Sequence, residues 1–124
     1  MKVLGLDFGS ARTGVAVSDP TGTVARPVTI VERVGSDAGF AKLLAVIATE
    51  EPELVVVGLP LTLRGHAGEQ ATETTRFVEK LRGAVRVPVD TYDERFTSVL
   101  ADGDDARAAA YLLSSYLEWL RAHR

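Results

Sequence analysis

Cysteine is absent from the chain, and its absence removes two classes of structure. Disulfide frameworks and thiolate metal sites are both excluded. Only two histidines are present, so a metal site in this chain would be built mainly from oxygen ligands. A chain without cysteine suits a reducing compartment, and we expect the protein to act in the cytoplasm.

Long apolar runs are also missing. Runs such as Leu54–Val57 fall far short of the roughly 20 residues that a membrane-spanning helix needs. The opening residues, MKVLGLDFG, lack the charged segment and the apolar stretch of a signal peptide. We therefore expect no association with a membrane.

The chain has no excess of positive charge, since 14 Lys and Arg residues face 17 Asp and Glu residues and the formal net charge is −3. This balance gives no support of its own to nucleic-acid binding, although it leaves room for a local basic face. With 124 residues, 46% of them hydrophobic, the chain is large enough for one core and too short for two lobes. We predict a single domain over residues 1–124.

Apolar patterns predict three strands at the start of the chain, over Val3–Phe8, Gly14–Ser18 and about Val24–Glu32, as in an antiparallel meander. The remaining segments are a helix capped by Ser36 or Asp37, a strand over Glu53–Pro60, a helix over Ala67–Leu81, a strand over Val85–Glu94 and a helix over Asp104–Arg121. This order predicts an α/β fold in which three antiparallel strands are followed by parallel strands, with helices flanking the mixed sheet. Pro88 suggests that the last strand lies near an edge of the sheet.

Acidic residues occur at three places where an apolar element begins or ends. Asp7 closes the first apolar strand, Asp93 and Glu94 close the last one, and Asp105 precedes the apolar face of the final helix. Each has an ordinary alternative, which is a turn for Asp7, a solvated loop for the adjacent pair and, for Asp105, a first-turn acid that follows a cap at Asp104 and complements the helix dipole. Neighbouring residues of a strand point to opposite faces, so we expect only one of Asp93 and Glu94 to face Asp7.

Carboxylates from three elements could converge at one end of the sheet, where a cation would offset their repulsion. Oxygen ligands without cysteine favour Mg²⁺ or Mn²⁺ over Zn²⁺. Two such ions about 4 Å apart support the in-line hydrolysis of phosphodiesters. From these residues alone, metal-dependent hydrolysis of phosphodiesters is one interpretation of the three acidic positions.

Four segments of the chain, in order, resemble blocks of the YqgF/RuvX family of RNase H-like Holliday-junction resolvases. They are GLDFGSARTGVAVSD, VVVGLPLTLRGHAGEQA, YDERFTS and DDARAAAYLLSSYL. The resemblance implies an RNase H-like fold and a nuclease that depends on a divalent metal. The acidic positions of the family fall on Asp7, on Asp93 and Glu94, and on Asp105, and we select Asp7, Glu94 and Asp105 as the metal ligands.

Two activities follow from the resemblance, and both break phosphodiesters. One is cleavage of four-way DNA junctions, which requires a homodimer if two paired sites are cut. The other is processing of the 5′ end of precursor 16S rRNA, which does not. An alternative from another class is a catalytically inactive RNase H-like module that binds nucleic acid. An actin-like ATPase would need a second lobe, which 124 residues cannot supply.

Three arginines are the best candidates for contact with phosphate, because a guanidinium forks onto phosphate oxygens. They are Arg12 and Arg95, for which surface ion pairs are the alternative, and Arg64 in the loop after the fourth strand, for which a mobile surface loop is the alternative. A second basic set occurs on and after the helix that follows the fourth strand, where a solvated helix face is the favoured interpretation. This set consists of Arg76, Lys80, Arg82 and Arg86.

One departure from the family concerns the connection Leu100–Asp104, LADGD, which is much shorter than the basic stretch that usually precedes the last acid. Either the connection is naturally short, or residues are missing from the sequence as given. A naturally short connection would remove a source of positive charge and would restrict the approach of Asp105 to Asp7.

Overall fold

The computed structural model describes residues 1–59, 69–93 and 105–123. Its elements are β1 (Val3–Asp7), β2 (Arg12–Ser18), β3 (Ala25–Glu32), α1 (Asp37–Glu50), β4 (Leu54–Leu59), α2 (Glu69–Ala84), β5 (Val89–Asp93) and α3 (Asp105–Ala122). The five strands form one sheet in the order β3-β2-β1-β4-β5. Pairing is antiparallel from β1 to β3 and parallel from β1 through β4 to β5. The predicted α/β class and mixed sheet are confirmed, and β5 is an edge strand, as Pro88 indicated.

Two strands form the apolar centre of the sheet. Val3, Leu4 and Leu6 of β1 have no exposed surface, and neither has Val55–Val57 of β4. Continuous apolar runs of this kind are typical of strands that are covered on both faces. The sheet is therefore the middle layer of three.

The first face of the sheet is covered by α1 and α2. Both helices bury apolar side chains against Leu4, Leu6 and other strand residues, and these are Phe40, Leu43 and Ile47 from α1 and Phe77, Val78 and Leu81 from α2. The start of α1 is fixed by Ser36, whose hydroxyl accepts a hydrogen bond from the Gly39 amide at 3.0 Å. Of the two predicted caps, Ser36 is therefore the one observed, which is the usual role of serine at this position.

The other face is covered by α3, which packs across β1, β2 and β3. The helix comes very close to β1, because a Cβ atom built on Gly5 would lie 3.0 Å from Cβ of Leu113. Further along the helix, the Arg121 guanidinium donates to the carbonyl of Gly22 at 3.4 Å, in the turn that precedes β3. The helix therefore runs antiparallel to β1, and its first turn lies at the edge of the sheet where β1 ends.

Two tyrosines connect β5 to α3. The Tyr116 hydroxyl donates to the Asp90 carboxylate at 2.9 Å, and the hydroxyls of Tyr92 and Ser115 lie 2.8 Å apart. Tyr116 is only 2% exposed. Burial and, to a lesser extent, the hydrogen bond to Asp90 and its negative charge raise the pKa of Tyr116 above the ordinary value of about 10. The edge strand is therefore attached to the helix by polar contacts as well as by packing.

None of the helices in the described ranges has the length and hydropathy that crossing a membrane requires.

We expect Gly5→Val to lower the free energy of unfolding by about 1–3 kcal/mol, because the added methyl groups would force α3 away from β1. Gly83→Val is the matched control, since no atom lies within 4 Å of a Cβ at Gly83 and that position is exposed. Denaturant unfolding of the two variants would measure the difference. Equal stability of the two would contradict the close contact between α3 and β1.

We expect Tyr116→Phe to lower the free energy of unfolding by about 1 kcal/mol at pH 8, through loss of the hydrogen bond to Asp90. Because the pKa of Tyr116 is raised in the folded state, its hydroxyl contributes its full stabilisation at pH values below the unfolded pKa of about 10. This contribution to the free energy of unfolding is lost as the pH rises above that value. The difference between wild type and Tyr116→Phe should therefore shrink between pH 9 and about pH 11. Tyr111→Phe, at a position 44% exposed, is the matched control and should leave the free energy of unfolding at pH 8 nearly unchanged.

Candidate active site

Three of the predicted acidic positions lie at one edge of the sheet. The parallel strands β1 and β5 end there, with Asp7 and Asp93 as their last residues, and β4 lies between them. Leu59 pairs with Asp93, so the backbones of Asp7 and Asp93 are separated by about two strand spacings, or about 10 Å. Since α3 runs antiparallel to β1, Asp105 begins its helix at this same edge.

The structure describes the side chain of only one of these acids, Asp7. Its side chain is half-buried and lies on the α3 face of the sheet, because Val3 packs with α3 while Leu4 and Leu6 pack with the helices of the other face. The side chains of Asp93 and Asp105 and the whole of Glu94 lie outside the described residues. The predicted grouping of four carboxylates therefore remains a prediction.

The turn that follows Asp7 is held by Gly9 and Thr13. A Cβ atom at Gly9 would lie 2.4 Å from the carbonyl oxygen of Arg12, so the turn itself requires glycine. The buried Thr13 hydroxyl donates to the Gly9 carbonyl at 3.3 Å and lies 3.4 Å from the Gly9 amide. The space that a glycine could leave for a ligand at this position is therefore taken by the chain's own backbone.

Positive groups also lie at this edge. Arg12 begins β2, two residues before Gly14, which pairs with Asp7, and its side chain is exposed. Arg107 is exposed in the first turn of α3, and the sequence analysis did not select it. The start of α3 adds the partial positive charge of a helix N-terminus. Arg64 and Arg95 lie outside the described residues.

The four residues of the second basic set, on and after α2, do not form one continuous basic surface. Arg82 turns back onto β5, where its Nε and Nη2 atoms donate to the Val89 carbonyl at 3.1 and 2.7 Å. Arg86 follows the end of α2, next to the start of β5 and far from the edge that holds Asp7. Arg76 and Lys80 instead line a cavity next to the β1–β2 turn, with Phe8 and Phe77. This cavity was not found from the sequence.

Among the residues that the structure describes, the strongly lowered carboxyl pKa lies away from the candidate site. Asp19 is half-buried at the opposite edge of the sheet, in the turn after β2. A hydrogen bond from the Thr21 hydroxyl, followed by those from the backbone amides of Val24 and Thr23, holds the pKa of its carboxyl far below the ordinary value. These bonds form a turn, so the shift at Asp19 reflects local structure.

Among the residues that the structure describes, no three histidine or acidic side chains are grouped as metal ligands would be. The donors predicted at the edge are nevertheless all carboxylates, which is the ligand chemistry of Mg²⁺ and Mn²⁺. Asp7, half-buried on the α3 face of the sheet, supplies a carboxylate of this kind.

Comparison with known proteins gives a consistent set of matches. The sequence model of the family described as "RuvX: Holliday junction resolvase" matches residues 1–119. A protein of Chloroflexus aggregans is 42% identical over 100 residues, which cover 81% of this chain and 70% of the relative. One of Desulforudis audaxviator is 35% identical and covers 100% of this chain and 99% of the relative. Both relatives carry the name "Putative pre-16S rRNA nuclease".

The alignment with the Desulforudis audaxviator protein is longer than this chain, with 139 aligned positions against 124 residues. The relative therefore contains residues that have no counterpart here, as the short connection Leu100–Asp104 leads us to expect. That connection lies outside the described residues.

The fold also has solved counterparts. RuvC of Thermus thermophilus, solved in complex with a Holliday junction substrate, superposes with a TM-score of 0.66 over 98% of this chain and 96% of its own. The two sequences are 20% identical, so this likeness establishes the RNase H-like fold alone. The family match over residues 1–119 and the relatives above 30% identity go further, and they show that the chain belongs to the RuvX family.

Proposed function

We propose that this chain is a divalent-metal-dependent endonuclease that hydrolyses phosphodiesters in structured nucleic acid, within one domain over residues 1–124. The observation that carries the proposal is the convergence of the ends of β1 and β5 and the start of α3 at one edge of the sheet. Membership of the RuvX family supports the same chemistry. Bacterial DNA junctions and precursor rRNA both occur in the cytoplasm, which is where we expect the protein to act.

Four acidic residues form the proposed catalytic set. Asp7 holds the metal from the end of β1, and Asp105 holds it from the first turn of α3, with Asp93 or Glu94 as the third group. Mg²⁺ or Mn²⁺ suits these oxygen ligands, and a bound ion would supply activation of water and neutralisation of charge on the phosphate.

Strand alternation favours Glu94 over Asp93 as the third ligand. Asp90 and Tyr92 both contact Tyr116, so these two positions belong to the α3 face of β5. The same face of a strand returns two residues later, at position 94. Since Asp7 also lies on the α3 face, we assign Glu94 to the metal and Asp93 to a supporting role.

Three arginines would hold the substrate backbone. Arg12 is exposed at the edge that Asp7 closes, which supports a role in orienting the phosphate next to the metal. We assign Arg64 and Arg95 to the same role from their place in the sequence. A guanidinium can donate two parallel hydrogen bonds to one phosphate, which fixes its orientation as well as its position.

Two substrates remain candidates. The family description names a Holliday junction resolvase, and on this basis we take four-way DNA junctions as the leading substrate, cut by a homodimer if both strands are cleaved at paired sites. The names of the relatives favour processing of the 5′ end of precursor 16S rRNA as the second. The acidic residues perform the same hydrolysis in either case.

We expect Asp7→Asn to reduce cleavage by roughly 100-fold or more, because the neutral amide holds a divalent ion more weakly and the ion is what neutralises the phosphate charge. The assay would use Mn²⁺ with two labelled substrates, a synthetic four-way DNA junction and a precursor 16S rRNA 5′ leader. Asp37→Asn, an exposed acid in the first turn of α1, is the matched control and should retain activity. Binding of either substrate without cleavage by the wild type would favour the inactive binding module.

Metal binding can be measured apart from catalysis. A ligand that binds the folded state raises stability by RT ln(1 + [L]/Kd), which is about 2.7 kcal/mol when the free ligand is at 100 times its Kd. We expect Mn²⁺ to raise the melting temperature of the wild type and of Asp37→Asn, and EDTA to reverse the increase. The increase should be much smaller for Asp7→Asn and for Asp105→Asn. An equal increase in all four proteins would contradict the assigned metal site.

A further inference from the structure

A cavity of about 290 Å³ opens next to the candidate active site, on the face of the sheet opposite α3. Phe8 and Ser10, which follow Asp7 in the turn between β1 and β2, form one side. Val34 and Gly35 from the turn before α1 form the second side, and α2 forms the third. The cavity is therefore adjacent along the chain to the acid that we assign to the metal.

The floor of the cavity is apolar and largely aromatic. The rings of Phe8 and Phe77 are stacked, with centroids 4.7 Å apart and an angle of 25° between their planes. Phe40 meets Phe77 edge-on at 6.4 Å, and Val34 is completely buried beside them. A flat aromatic ligand can pack on such a floor through both burial and ring contacts.

The rim of the cavity is mainly cationic. Arg76 and Lys80 lie one turn apart on α2, both are exposed, and the Lys80 ammonium lies 4.2 Å from the centroid of the Phe40 ring. Glu73 adds one negative charge to the lining. Within the described parts of the chain, Arg76 forms no ion pair, so its guanidinium is available to an anionic ligand.

These features match the two parts of a nucleotide. The floor would contact a base, and the two cations on the rim would contact its phosphate, as in single-strand binding sites that combine stacking with positive charge. The volume lies near the lower end of the range of small-ligand pockets and has room for a single base. The positive rim is also a local exception in a chain whose net charge is −3.

We propose that this cavity binds one unstacked base of the substrate strand, close to the scissile phosphate, with Arg76 and Lys80 on the adjoining backbone phosphate. The inference rests on the proposed nuclease function and extends it to the choice of substrate. A base can enter the cavity only after leaving its helical stack, which is easiest where it is unpaired. The protein should therefore prefer an unpaired segment to a fully paired arm, so the cavity favours the single-stranded precursor leader over the four-way junction that the family description placed first.

Gly35→Trp is the variant that tests the cavity. Gly35 is exposed on the rim, and no atom lies within 4 Å of a Cβ built there, so an indole ring can occupy the opening without disturbing the core. Gly83→Trp is the matched control, because Gly83 is equally exposed and open but lies near the C-terminal end of α2. Both variants should melt within a few degrees of the wild type, which confirms folding before binding is compared.

The binding measurement uses a fluorescently labelled single-stranded oligoribonucleotide with the sequence of a precursor 16S rRNA 5′ leader. Asp7→Asn is the parent protein, so that the probe stays intact. We expect Gly35→Trp to weaken binding roughly 5- to 100-fold, the range for loss of one stacked base, and Gly83→Trp to leave it unchanged. One abasic site, placed in turn at each nucleotide, should reproduce this loss in the parent at one position. That same site should have no further effect in Gly35→Trp.

The cationic rim has its own control. Arg76→Ala with Lys80→Ala should weaken binding and reduce its dependence on salt, because two phosphate contacts are lost. Lys42→Ala with Arg86→Ala removes the same charge at exposed positions outside the cavity lining. Equal loss of binding in the two double variants would show an effect of net charge only and would overturn the assignment of the rim.

The results separate this proposal from the nuclease proposal. Equal binding by Gly35→Trp and Gly83→Trp, or the absence of any abasic effect, would overturn the cavity as a base site even if Asp7→Asn abolishes cleavage. Lack of cleavage by the wild type, with the effects of Gly35→Trp and of the abasic site retained, would support the cavity and overturn the nuclease. If the wild-type protein binds no oligoribonucleotide, the cavity proposal is overturned.

Discussion

The close packing of α3 on β1 is the constraint on which the site depends. Gly5 allows the two elements to approach until a Cβ atom would be only 3.0 Å from Leu113, and the contact of Arg121 with Gly22 shows that the helix runs antiparallel to β1. This direction brings Asp105, the first residue of α3, to the edge where Asp7 ends β1. A helix held further from the sheet, or running the other way, would leave the two carboxyl-bearing positions apart, whatever the chemistry of the residues.

A second constraint concerns the edge strand β5, which has a neighbour on one side only. Asp90 and Tyr92 bond to Tyr116 and Ser115 of α3, so the same helix that approaches β1 also fixes the position of β5. The polar pairs lie within the strand, whereas the acidic residues assigned to catalysis lie at its end. The residues of β5 that attach it to α3 are thus different from those assigned to catalysis. A variant such as Tyr116→Phe can therefore test the stability of this attachment without removing a catalytic residue.

Much of this arrangement could be predicted because its signals are local. A strand that is apolar on both faces and then ends in an acid makes Asp7 conspicuous, and Ser36 and Pro88 indicate a helix start and an edge strand directly. The cavity could not be predicted in the same way, since Phe8, Val34 and Phe77 come from three distant segments and each resembles an ordinary core residue. The division of the basic set likewise depends on tertiary structure, because Arg82 binds the carbonyl of Val89 only once β5 is in place beside α2.

The end of β1 brings the two proposed sites together. Asp7 and Phe8 are consecutive residues at the end of this extended strand, and they pack toward opposite faces of the sheet, with α3 on one side and Phe77 of α2 on the other. A nucleic-acid strand that crosses this edge could present a phosphate to the acids and, in the same register, place a neighbouring base in the cavity. The alternation of a single strand would then set the spacing between the bond that is cut and the base that is held. A change in the distance between the acidic residues and the cavity should therefore move the cleavage position along the substrate. The hydrolysis of the phosphodiester itself would stay the same.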